Sequence, residues 1–74
     1  MGLDDICAQF PLLGVEDFLK SLRIYGEDGN HPQQAIIERL IELSERCAGE
    51  HPKMEDYKAL VDSVYETHDY LDNG

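Results

Sequence analysis

His51-Pro52-Lys53-Met54-Glu55-Asp56-Tyr57-Lys58-Ala59-Leu60-Val61-Asp62-Ser63-Val64-Tyr65-Glu66-Thr67-His68-Asp69-Tyr70-Leu71 is the most regular stretch of this chain. Within it Met54, Tyr57, Val61, Val64, His68 and Leu71 alternate steps of three and four, with Leu60 and Tyr65 broadening the seam. Such spacing gathers apolar side chains on one side of an α-helix, whereas a half-buried strand alternates every second residue. The stretch therefore predicts a helix over 52–71. Pro52 suits its first position, where the missing N–H would have had no intrahelical partner.

Upstream, His31-Pro32 repeats the same opening and predicts another helix over 32–48, with Gly49 as a left-handed terminator. Ile36, Ile37, Leu40, Ile41, Leu43 and Cys47 cover an arc of about 160° at 100° per residue, wider than the usual apolar stripe, which marks it as the central helix. Gly26-Glu27-Asp28-Gly29-Asn30 is the clearest loop, since glycines, acids and amides favour turns. Before it, Val15, Phe18, Leu19 and Leu22 define one short helix closed by Gly26, with Glu16 and Asp17 in the first turn. Leu3, Ile6, Cys7 and Phe10 define another, ended by Pro11 and linked through Leu12-Leu13-Gly14. The expected fold is all-α: a small four-helix bundle, two short N-terminal helices and two longer C-terminal ones, in a single domain over 1–74.

A chain of 74 residues buries only about 60% of its unfolded surface, so its core is thin. Its 42% apolar content lies outside the range of disordered segments, and Cys7 and Cys47 fall within apolar patterns where a thiol behaves as a small hydrophobe. Asp4 and Asp5 stand where a signal peptide would be basic, Ile6 stands where myristoylation wants Ser or Thr, and no apolar run approaches a membrane span. These features predict a cytoplasmic protein with reduced thiols. Sixteen acids against six Lys and Arg give a net charge of -10. A field of that sign repels nucleic acid and anionic lipid, which argues against direct binding of either, and favours a protein partner with a basic surface.

Catalytic and metal chemistry finds little footing. The pairs Asp4-Asp5, Glu16-Asp17, Glu27-Asp28 and Glu55-Asp56 are adjacent residues, about 100° apart on a helix, and do not converge on one substrate atom. A calcium loop opening at Asp28 would place Pro32 at its fifth position and Gln33 at its sixth, where an oxygen ligand and a glycine are required. Cys47 and His51 have a plausible zinc half-site spacing and no second half. His31 and His51 precede prolines and are explained by helix entry, while His68 lies on the seam and is the histidine most expected to be buried. A reactive cysteine needs an electropositive surround that this chain does not offer. No cofactor, metal or catalytic residue is assigned, and an enzyme is not expected.

An acidic row remains. After Lys58 no Lys or Arg occurs, yet Asp62, Glu66, Asp69 and Asp72 follow at steps of four and three. Like charges at that spacing repel, and acids near a helix C-terminus oppose the macrodipole. Glu55, Asp62, Glu66 and Asp69 fall within an arc of about 60° opposite much of the seam, with Tyr70 beside them as a contact anchor. Along the axis Asp62 to Glu66 is about 6 Å and Asp62 to Asp69 about 10.5 Å, in the range of successive phosphates on a nucleic-acid strand. The expected function is a small acidic binding module, an inhibitor or regulator that sets this face on a basic, nucleic-acid-binding type of site. Immunity and phage anti-defence proteins are analogous in composition. The expected contact residues are Glu55, Asp62, Glu66, Asp69, Tyr70 and Asp72. The alternative is a structural homodimer or obligate subunit assembled through the apolar faces of the last two helices, since two short N-terminal helices give them limited cover.

Overall fold

The computed structural model describes residues 2–49 and 51–73. It is all-helical: α1 spans Leu3–Tyr25, α2 spans Gln34–Cys47 and α3 spans Met54–Asn73, each packed on both others. The expected count of four helices is thus corrected to three. Pro11 does not end the first helix, even though it lacks the N–H that would bond to the Cys7 carbonyl, and Leu12 and Leu13 remain helical. The departure comes at Gly14, with φ 81° and ψ 173°, a conformation essentially reserved for glycine.

This kink gives α1 its use in the core. Residues eight apart on a straight helix are about 12 Å apart along the axis, yet the rings of Phe10 and Phe18 meet edge to face at 4.7 Å across the bend. Folded back in this way, α1 buries Leu3, Ile6, Cys7 and Phe10 from one arm and Phe18, Leu19 and Leu22 from the other. All but Leu19 share one cluster with Ile37, Leu40 and Cys47 of α2 and Leu60 and Val64 of α3. Each fully buried Leu, Ile or Phe contributes about 1.5–3 kcal/mol. The N-terminal segment therefore supplies seven of the twelve buried hydrophobic residues among those described.

The α1–α2 connection is fastened rather than loose. His31 Nδ1 accepts the Gln33 backbone N–H at 3.0 Å, so the neutral ring carries its proton on Nε2, 2.8 Å from the Tyr25 hydroxyl. The Gln34 side-chain amide donates to the Gly26 carbonyl at 3.3 Å. Gly26 is required by close approach, because a Cβ there would stand 2.7 Å from Ile37 Cγ2. The His31 ring secures a turn ahead of α2, which begins at Gln34 rather than at Pro32. Likewise α3 begins at Met54, two residues after Pro52.

Gly49 does not act as the left-handed terminator expected of it. Ala48 ends α2 in right-handed geometry, donating its N–H to the Ser44 carbonyl at 2.9 Å, and the positive φ of the loops is taken by Gly29. The buried stripe of α2 is narrower than its apolar arc: Ile37, Leu40, Ser44 and Cys47 are buried, whereas Ile36, Ile41 and Leu43 are half-buried. Ser44 is enclosed with its hydroxyl unpartnered among the described residues.

Candidate interaction face on α3

Leu60 and Val64 fix the rotation of α3, being 0% and 2% exposed. Thr67, His68 and Leu71 are half-buried on the same side. About half a helical turn away stand Glu55, Asp62, Glu66 and Asp69, all exposed. Tyr70 and Asp72 are exposed as well, on opposite sides of that row. The six residues expected to contact a partner therefore all lie on the outside of one helix. Only Lys58 supplies a cation within α3. Elsewhere Arg23 pairs with Glu45 at 3.7 Å, joining α1 to α2, and Arg46 pairs with Glu42 at 2.8 Å along α2. Asp69 is itself engaged within the molecule.

The two sides of the row differ. Toward α2, Glu66, Ser63 and Thr67 line a cleft of about 210 Å³ with Ile36, Arg39 and Leu40, and Tyr70 projects beside it. On the other side the sequence reading requires correction. Met54, Tyr57 and Tyr65 belong to the predicted seam, yet they are 85%, 47% and 62% exposed. The core takes only the narrower line through Leu60 and Val64, because α1 and α2 meet α3 there. Met54, Tyr57 and Tyr65, with half-buried Val61, form an apolar ridge that the predicted contact set missed. The signal was present in the chain: Leu60 and Val64, four apart, share a face with Thr67 and Leu71, about 80° from the ridge.

His68 is half-buried rather than buried, in the same class as His31, while His51 is exposed. Burial pushes the Cys7 thiol from its ordinary 9.0 up to about 11, with the carboxylate of Asp4 adding to the effect. Burial also raises Cys47, assisted by Asp56. Both are buried free thiols, held in the protonated form at neutral pH. Among the described residues no three His, Cys, Asp or Glu gather as metal ligands would, and no helix is long and apolar enough to cross a membrane. What the face offers chemically is a row of carboxylates and exposed phenol rings, suited to cations and to the apolar stems of Lys and Arg.

Comparison with protein-family models, with curated proteins and with solved structures gives no match.

Proposed function

We propose that this chain is a non-catalytic binding module that sets the outer face of α3 on a basic site of a larger protein and thereby inhibits or regulates it. The observation that carries this reading is an exposed acidic row, Glu55, Asp62, Glu66 and Asp69 on one face, interrupted only by Lys58, the single cation of the helix. A face kept merely hydrated more usually mixes signs. The axial spacing of these carboxylates suits a cationic groove of the kind that holds a nucleic-acid strand, where the row takes the place of phosphates. Steering by opposite charge speeds encounter with such a site.

The test is charge reversal. Asp62→Lys, Glu66→Lys and Asp69→Lys together are expected to abolish capture of a basic protein by the immobilised chain, while circular dichroism shows the helical signal intact. Capture unchanged by the reversal overturns the reading. A second reading, a homodimer, draws support from the exposed Met54, Tyr57 and Tyr65. It requires a solution mass twice the 8.4 kDa of one chain, and light scattering decides it.

A further inference from the structure

Resting on the binding-module reading, we infer that the partner presents to α3 an amphipathic helix with an apolar stripe and a Lys/Arg-rich edge, seated on the ridge of Met54, Tyr57, Val61 and Tyr65. The ridge is helical in pattern: its residues step by three, four and four, lie within an arc of about 80° and run about 16 Å along the axis. A straight ridge of that length is what a second helix packs against, side chain into groove, at an interaxial distance of about 8–10 Å.

Charge complementarity decides the occupant. Asp62 and Asp69 border the ridge on its outward edge, where Lys58 is the one cation, and Asp72 continues the line of the ridge beyond Tyr65; all three acids are exposed. Lys and Arg on the flank of a docked helix reach such an edge while their stems cover the rings of Tyr57 and Tyr65, as flanking charges do beside a coiled-coil seam.

A second copy is a poorer fit. The first part of the α3 region has Lys53 and Lys58 against Glu55 and Asp56, whose charges cancel, while Asp62, Glu66, Asp69 and Asp72 leave the rest uniformly negative. Paired antiparallel, two copies set an acidic end against a neutral one; paired parallel, they set acid against acid. Each copy also brings a net charge of -10. The exposed tyrosines add to the argument, since rigid amphipathic rings make contact area at low entropic cost and are enriched among contact residues that dominate binding energy.

The probe is a synthetic 18-residue helical peptide with leucines on one stripe and lysines and arginines along its edge, compared with a scrambled peptide of the same composition. The helical peptide is expected to bind about tenfold or more tightly than the scrambled one, with amide shifts in a labelled sample centred on Met54, Tyr57, Val61 and Tyr65. Met54→Ser, Tyr57→Ser and Tyr65→Ser combined is expected to weaken binding at least about tenfold, and exposure of the three residues makes the variant compatible with the fold, which circular dichroism checks. Asp62→Asn, Asp69→Asn and Asp72→Asn combined is expected to flatten the salt dependence.

Equal affinity for the scrambled peptide, shifts centred on α2, undiminished binding by the serine variant, or a dimer that buries the ridge overturns the inference. If capture of a basic protein is lost on charge reversal while the peptide ignores the ridge, this inference alone fails. If charge reversal leaves capture intact, the binding-module reading beneath it fails.

Discussion

Cys7 shows how a single buried group ties this fold to its conditions. Its thiol is raised to about 11 from 9.0 because the charged form has lost its water and faces Asp4. Below about pH 9 both the folded and unfolded chains keep the proton, and this group gives no pH dependence. Between about pH 9 and pH 11 the unfolded chain releases the proton and the folded chain keeps it, so stability falls as pH rises, by about 1.4 kcal/mol for each unit. Urea unfolding of the wild type and Cys7→Ala across that window checks it: the stability margin of the wild type over the variant should shrink with pH, and a constant margin would refute the assignment. The burial of Cys7 and Cys47 was readable from their place among apolar residues. The enclosure of Ser44 was not, since a serine carries no hydrophobic signal and only the packing of three helices around it closes the site. Nor could the tie between Tyr25 and His31 be read, because it depends on the path of the intervening loop.

Among the elements, α3 combines local strain with a fixed orientation. Its last turn carries no base, and Asp69 and Asp72 lie where the helix dipole disfavours negative charge. Asp72→Lys should therefore stabilise the protein by about 0.3–1 kcal/mol at low salt, read as a higher urea midpoint. The same change is expected to weaken engagement of a basic partner. A variant no more stable than the wild type would remove the argument that the acids are retained against a local cost. Periodicity marked the helical stretches, although it divided α1 in two, but it could not rank the apolar residues of α3. Met54, Tyr57 and Tyr65 share the three-and-four rhythm of the seam, and only the direction from which α1 and α2 approach decides that Leu60 and Val64 are enclosed instead. The same limit applies at Pro11 and Gly14. Both are helix breakers in sequence, and it takes the meeting of Phe10 with Phe18 to show which of them bends the chain.

The whole molecule measures 33 × 25 × 20 Å and carries a net charge of -10. At an ionic strength of about 0.01 M the screening length is about 30 Å, comparable to the longest dimension, so nearly every charge senses every other. At about 0.15 M it falls to roughly 8 Å and most of that mutual repulsion is removed. The melting temperature is expected to rise by a few degrees between these conditions, while association with a basic partner slows; calorimetry and stopped-flow mixing read the two. A melting temperature that falls with salt would mean that attractive pairs such as Arg46 with Glu42 outweigh the net repulsion. The excess of acids over bases was plain in the composition, and the all-helical class in the spacing of the apolar residues. What composition could not supply is the geometry that turns the surplus outward. Because Leu60 and Val64 lock the inner side of α3, the carboxylates opposite them are presented on a rigid rod rather than a pliable loop. On the proposed function, this side of the encounter is preformed, and its speed is set by how often the two surfaces collide in the right orientation rather than by refolding of this chain.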